Sequence, residues 1–324
     1  MSEPFFTVLV TAHDPSRKQY LIQALQSALD QDFEEDYEII LVKDYMDEQV
    51  DSFVNMHRLI SIYTHEKFIG PKLKLGCERA QGKYIAFLED DDLFEKNKLS
   101  QIHFVLNQGN QITLLKHDVN LIGSVGESLP NEDFEDFYYF PRSNYIDKTF
   151  NIADSIEDYF KLASIFVNPS TMVCKKDCLI DNLSICGKIQ LIPDLFIFAC
   201  FLTSTGNAKF IVEKLGSYRI HESTANLSTA SSKRKSITVE IFYNDHILIS
   251  SLYSDKGLKL LHRKQLSIAS RMRLWSNILE IRLTGRVKIP KLNDIGYVIF
   301  GQPSVRTFKN AIHFIPEIII SLVK

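Results

Sequence analysis

Several things are scarce or missing in this 324-residue sequence, and each absence narrows what the chain can be. Its longest apolar runs, residues 191–202 and 314–323, are too short to span a bilayer, and each carries an acidic residue. Met1-Ser2-Glu3-Pro4 lacks the basic stretch of a secretory signal, so no leader is expected. The five cysteines form no Cys-x-x-Cys pair, and the cluster at Cys174, Cys178 and Cys186 has no histidine at zinc-ligand spacing. Buried free thiols in a reducing cytoplasm are the expectation. No internal repeat or low-complexity tract is present. No nucleic-acid motif is present either, so nucleic acid is not an expected partner.

What remains is an ordinary globular composition, 45% hydrophobic and 24% charged, with ample length for a large core. The net charge of −3 conceals a division: residues 1–229 carry 21 Lys+Arg and 34 Asp+Glu (−13), residues 230–324 carry 16 and 6 (+10). That division predicts a catalytic body over 1–229 and a basic helical C-terminal region over 230–324.

Residues 5–10, 38–42, 59–63 and 84–88 read as buried strands, separated by helical patterns. Asp14-Pro15 and Gly70-Pro71 mark helix starts, the second running to Gly82. Strands alternating with helices predict an α/β fold with a mostly parallel sheet flanked by helices. Residues 112–116 and 168–174 add strands, 206–219 a strand pair, and 194–202 a helix. A loop or lid is expected over 124–150, and long helices over 237–253 and 258–283.

The most informative segment is Tyr84-Ile85-Ala86-Phe87-Leu88-Glu89-Asp90-Asp91-Asp92, a strand delivering four consecutive carboxylates to one point. Two unit charges about 4 Å apart repel by roughly 4 kcal/mol at an effective dielectric near 20. Such a cluster needs a cation or free access to water. It is either a divalent-metal site for a phosphorylated substrate or a solvated turn capping the next helix. Ligands of parallel α/β sheets bind at the carboxyl ends of strands. Thr11 to Asp14, Lys43-Asp44 and Glu89 to Asp92 all fall at such ends, which favours the metal-and-phosphate reading.

The order of motifs over about residues 5–228 resembles the inverting family 2 glycosyltransferases with the GT-A fold. Val8-Leu9-Val10-Thr11-Ala12-His13-Asp14 stands where that family shows a strand ending in Pro-Thr-Tyr-Asn. Ile39-Ile40-Leu41-Val42-Lys43-Asp44 replaces a strand ending in Asp-Asp-Gly-Ser. Gly76-x5-Gly82-Lys83-Tyr84-Ile85 followed by Glu89-Asp90-Asp91 matches Gly-x5-Gly-x-Tyr-Ile and the Asp-x-Asp motif. Pro193-Asp194 resembles the Glu-Asp carrying the family's base, and Tyr218-Arg219-Ile220-His221 its Tyr-Arg-x-His.

The resemblance implies a GT-A catalytic domain with a nucleotide-sugar half at about 1–120 and an acceptor half at about 121–229. It implies a nucleotide-diphosphate sugar donor, UDP or dTDP favoured, and Mn²⁺ or Mg²⁺. Asp91 would hold the metal, and His221 would complete its site or contact the diphosphate beside Arg219. Glu89, longer than the usual Asp, would contact the ribose or donor sugar, with Asp90 next to it in the donor-binding set. Asp92 either binds there or caps the following helix. Thr11 and Ala12 would line the base pocket through their backbone and His13 would stack on the base. Asp44 would accept a hydrogen bond from the base imide, or else is a solvated strand-end aspartate. Lys72 or Lys74 would reach the phosphates, or else lie on a solvated helix face. Asp194 would be the general base, with helix capping as the structural alternative.

The acceptor is expected to be a glycan or lipid-linked hydroxyl. Phe308, Ala311, Ile312, Ile315, Ile318, Ile319 and Leu322 share a helical face near Arg306 and Lys309, interrupted by Pro316. That stripe fits a peripheral membrane contact at the inner face, packing on the catalytic domain, or a homo-oligomer contact. Two rival functions stand beside the transferase: a catalytically degenerate sugar- or nucleotide-binding protein, and a sugar nucleotidyltransferase. The second would want a glycine-rich basic loop after the first strand, where this chain has Thr11-Ala12-His13-Asp14-Pro15.

Overall fold

The computed structural model describes residues 3–109, 111–130, 148–152, 156, 162, 166–221 and 232–284. The alternation of short apolar strands with helices yields β1 (Phe6–Ala12), α1 (Lys18–Leu29), β2 (Tyr37–Lys43), α2 (Glu48–Met56), β3 (Ile60–Tyr63), α3 (Ile69–Arg79) and β4 (Tyr84–Glu89). Next come β5 (Leu93–Phe94), α4 (Lys98–Leu106), β6 (Ile112–Ile122), β7 (Ser128–Leu129), β8 (Thr149–Asn151) and β9 (Met172–Lys175). Three helices, α5 (Lys176–Ile180), α6 (Leu183–Cys186) and α7 (Pro193–Leu202), precede the long β10 (Asn207–Arg219). Two long helices close the described chain, α8 (Ser232–Asp255) and α9 (Lys259–Thr284).

The sheet order is β3-β2-β1-β4-β9-β6-β10-β5, with β7 on β6 and β8 on β10. β1 to β4 are mutually parallel, as is β6 with β10, whereas β9 runs antiparallel to both β4 and β6. Alternation sends Val8, Val10, Leu41, Ala86 and Leu88 to the face covered by Leu21, Leu25 and Ala28 of α1, all fully buried. The opposite face of β1 meets α3. A Cβ on Gly76 would lie 2.2 Å from the Leu9 side chain, so the helix sits this close only because position 76 has no side chain.

The chain divides into two compact units, a first of Met1–Ile189 with Pro193–Thr224 and a second of Gln190–Ile192 with Ala225–Lys324. Within the second, α8 and α9 pack along each other, and Asp245 of α8 accepts the backbone N–H groups of Gln190, Leu191 and Ile192 at 2.7 to 3.2 Å. Among the described residues no helix is long and apolar enough to cross a membrane. All five cysteines are buried free thiols.

Several local expectations need correction. Asp14 caps a 3-10 turn, Pro15–Arg17, by accepting from the Ser16 N–H at 2.9 Å, and α1 starts only at Lys18. Asp92 caps no helix: β5 follows it, and the next helix begins at Lys98 with Asn97 as its cap. Residues 168–171 form a 3-10 turn rather than strand, because Pro169 has no N–H to give a ladder. The strand pair over 206–219 is one strand whose register slips between Ile211 and Ser217. Helix α2 is absent from the sequence reading because it buries only Val50 and Val54. The stripe from Arg306 to Leu322 and most of the 124–150 segment lie outside the described residues.

Candidate active site at the carboxyl ends of the parallel strands

In-register pairing fixes the geometry here. Thr11 lies opposite Glu89 on one side and Val42 on the other, and Ala12 lies opposite Lys43. Thr11-Ala12-His13, Lys43-Asp44 and Glu89-Asp90 therefore leave the sheet together along one edge. Thr11 and Ala12 are buried, and His13 is exposed with its backbone N–H directed at Asp90 Oδ2, 3.4 Å away.

Asp44 is buried and forms ion pairs with Lys67 Nζ (3.0 Å) and Lys72 Nζ (3.6 Å). Its carboxylate oxygens nonetheless accept no well-aligned hydrogen bond among the described residues. Lys72 is also fully buried and donates to the Lys67 carbonyl at 3.2 Å, so it is no solvated helix-face residue. Burial lowers its pKa, and the attraction of Asp44 works against that shift. Lys43, in the place of an acidic residue in the resembling family, is buried and paired with Asp51 at 2.8 Å.

The four acids of the β4 end have separate surroundings. Burial, followed by repulsion from Asp91, Asp92, Asp194 and Asp90, raises Glu89 well above the ordinary carboxylate range. Asp90 is pushed up to about 7 by burial and by Asp91, against the pull of Arg17. Asp91 is the exception. Burial opposes its ionisation too, but a hydrogen bond from His221 and the charge of Arg17 outweigh it and hold Asp91 low. Asp92 is pushed up to about 7 by burial and by Asp91, and accepts the Arg219 N–H at 3.0 Å and Asn168 Nδ2 at 3.3 Å.

Asp91 Oδ2 lies 3.0 Å from His221 Nε2 and 2.6 Å from Arg17 Nη1, and the same Arg17 nitrogen reaches Asp90 Oδ1 at 2.9 Å. Tyr20 of α1 packs against this cluster, its ring 5.2 Å from that of His221 and 4.5 Å from the Arg219 guanidinium. Arg219 is buried, and its guanidinium donates to the carbonyls of Asp91, Gly123 and Ser124 and to Gln23 Oε1. It is a clamp on the acidic turn, with its donors committed inside the protein.

Asp194, in the first turn of α7, is partly buried. Oδ1 accepts the Leu195 N–H at 2.8 Å and Oδ2 the Asn168 N–H at 3.2 Å. Burial raises its pKa, opposed by these N–H groups and by the nearby charge of Lys116. Asp194 and Glu89 are close enough for their charges to interact, so the strand-end acids and the α7 aspartate belong to one site.

Among the described residues no three His, Cys, Asp or Glu side chains surround a common point as a finished metal cage. The donor set nevertheless suits a hard divalent ion. Asp91 and His221 present an oxygen and a nitrogen at one place, and such ions commonly take one or two protein ligands and complete their shell with phosphate and water. Arg17, Tyr20 and Asn168 escaped the sequence reading. Two of them left a signal: four carboxylates demand a countercharge, and Asn168-Pro169 is a turn dipeptide.

Residues 7–161 match the family model of Glycosyl transferase family 2. An uncharacterized glycosyltransferase of Rickettsia bellii is 38% identical over 96 residues, 28% of this chain and 14% of that protein. One from Haemophilus influenzae is 26% identical over 123 residues, 34% of this chain and 48% of that protein. The chain thus spans less than half the length of these curated relatives. Among solved structures, S. aureus TarS 1-349 in complex with UDP-GlcNAc matches with a TM-score of 0.60 at 16% identity, over 98% of this chain and 88% of that one. Mannosyltransferase PcManGT from Pyrobaculum calidifontis, in complex with GDP-Man and Mn2+, matches with a TM-score of 0.51 at 11% identity, over 98% and 87%. At such identities the likeness speaks for the fold, which is that of these GT-A glycosyltransferases. With the motifs aligned along one sheet edge, the chain carries a glycosyl transferase family 2 domain over residues 7–161.

Proposed function

We propose that this domain transfers a sugar from a nucleoside diphosphate sugar to a hydroxyl of a glycan or lipid-linked acceptor, inverting the anomeric carbon. The observation that carries the reading is the meeting of Asp91 and His221, 130 positions apart in sequence and 3.0 Å apart in space, at the strand ends. Asp91 and His221 would hold Mn²⁺ or Mg²⁺. When bound, such an ion supplies positive charge against the diphosphate as negative charge develops there.

The chain's own residues account for the rest. Asp44 has free acceptor capacity beside Thr11 and Ala12, which suits the imide N–H of uracil or thymine, with Lys72 as a nearby countercharge. His13, exposed at the same edge, would cover the base. Glu89 would contact the ribose or the donor sugar. Asp194 acts as general base: the acceptor oxygen bonds to the anomeric carbon as the bond from that carbon to the diphosphate oxygen breaks. The hydroxyl proton passes to Asp194, and the bonding pair leaves with the nucleoside diphosphate. Burial raises the proton affinity of Asp194, which favours this role.

Calorimetry with UDP, dTDP and GDP, each with and without Mn²⁺, tests the donor half. Metal-dependent binding of UDP or dTDP is expected, and Asp91→Ala should lose it. Asp194→Asn should bind the nucleotide like wild type yet transfer at least about a hundredfold more slowly, the usual scale for a lost general base. Wild-type transfer by Asp194→Asn would remove the base assignment, and binding of no nucleotide would sink the reading.

A further inference from the structure

The turn that enters β9 carries a residue with no assigned part in the reaction. Asn168 has φ +62° and ψ +101°, a backbone conformation that non-glycine residues rarely adopt. Such conformations persist where their surroundings over-determine them, and they concentrate at functional sites.

Here the surroundings are explicit. Asn168 Oδ1 accepts the Ser170 N–H at 2.8 Å, and its carbonyl accepts Thr171 Oγ1–H at 2.7 Å. Two buried lysines pin the flanking carbonyls: Lys98 Nζ donates to Ser170 O at 2.7 Å and Lys116 Nζ to Val167 O at 2.8 Å. The turn these lysines reach is buried and packs against β4, β6 and β10.

What the turn holds is the two halves of the site. The Asn168 backbone N–H donates to Asp194 Oδ2 at 3.2 Å, and its side-chain Nδ2 donates to Asp92 Oδ2 at 3.3 Å. Two residues on, Ser170 Oγ accepts the Glu89 N–H at 3.0 Å. One residue thus bridges the α7 carboxylate and the acidic turn after β4 through different atoms. The left-handed backbone lets the N–H and the amide point to these two partners at once.

We propose that Asn168 is a positioning residue, fixing the general base Asp194 relative to the acidic turn that receives the donor diphosphate. This rests on the function proposed above. Its contribution is to the geometry of attack, where misplacement by about 1 Å costs on the order of a hundredfold in rate. The nucleotide pocket around Thr11 and Asp44 is untouched by it.

The test compares Asn168→Ala with Asn168→Gly in the full chain. Alanine removes the amide and resists the positive φ, whereas glycine removes the amide but accepts that backbone and keeps the N–H on Asp194. For Asn168→Ala we expect kcat to fall about thirtyfold or more, with donor KM and the UDP affinity in Mn²⁺ within about twofold of wild type. Asn168→Gly should recover part of the lost kcat, and both variants should keep a cooperative thermal transition. Equal kcat for Asn168→Ala and wild type would overturn the proposal. So would a parallel loss of kcat and UDP affinity, or a glycine variant slower than the alanine one. If wild type itself binds no nucleotide, the glycosyltransferase reading fails, and this inference with it; if wild type is active and the variants match it, this inference fails alone.

Discussion

Arg17 shows how a single residue sets the charge balance of the acidic turn. Its Nη1 is shared between Asp90 and Asp91 at 2.9 and 2.6 Å, so a guanidinium already sits on the carboxylate proposed to hold the ion. Asp91 is held ionised partly by this contact, and Asp90 is kept from rising further. A metal held by Asp91, as proposed, would compete with Arg17 for that carboxylate, since two cations about 4 Å apart repel by a few kcal/mol at an effective dielectric near 20. Arg17→Gln removes the competitor while leaving a polar side chain of similar reach. Mn²⁺ titrated by calorimetry without nucleotide should bind this variant about tenfold or more tightly than wild type. The metal-free variant should also melt at lower temperature, since Asp90 and Asp91 lose a partner in a largely buried setting. Unchanged or weaker Mn²⁺ binding would mean that Arg17 assists the ion rather than competing with it.

At the scale of elements, the Gly-x5-Gly segment before β4 is a packing device. A Cβ on Gly82 would fall 2.3 Å from the Thr7 backbone nitrogen and 2.5 Å from the Phe6 carbonyl carbon, both on β1. Neither can move without disturbing the strand that carries Thr11 and Ala12. Gly82→Ala should therefore lower stability by about 1–3 kcal/mol, the usual range for overpacking, read as a drop in Tm or in the denaturation midpoint. A variant as stable as wild type would show that the β1–β4 pairing yields more easily than this. The parallel half of the sheet was legible for a related reason. Each of its strands is an apolar run ending in polar residues, and the in-register pairing of Thr11 with Glu89 turns that linear pattern into one edge. Asp44 and Asp91 stand at the ends of these runs in the sequence itself, whereas Asp194 and His221 are singled out only through the family resemblance. Less legible were elements whose burial is thin or whose pairing is non-local. Helix α2 buries two valines, and β10 accommodates its polar middle with register slips that no periodicity announces. The role of Arg219 was hidden for a different reason. Nothing in Tyr-Arg-x-His says that the guanidinium turns inward to carbonyls of Asp91, Gly123 and Ser124.

For the molecule as a whole, the acidic turn ties stability to pH. Burial and neighbouring Asp91 push Asp90 and Asp92 up to about 7, from 3.8 for an unperturbed aspartate. Between about pH 4 and pH 7 the native protein therefore holds protons that the unfolded chain has already released. Stability from this source is complete below 3.8 and is lost as pH rises through about 7. The slope is roughly 1.4 kcal/mol per pH unit for each extra proton. Asp91 works in the opposite sense: its pKa is held low, so its contribution is present above 3.8 and disappears only in stronger acid, outside this window. The metal-free protein should thus melt at least about 5 °C lower at pH 7.5 than at pH 5, given about 2–4 °C per kcal/mol for domains of this size. Asp90→Asn removes one of the two titrations without changing shape, and should make that decline distinctly shallower. A Tm that is flat or rises over this range in metal-free wild type would show that Arg17 and solvent neutralise the turn more fully than its burial implies. Mn²⁺ added at pH 7.5 should recover the lost stability, because an ion bound only by the native state raises Tm by mass action.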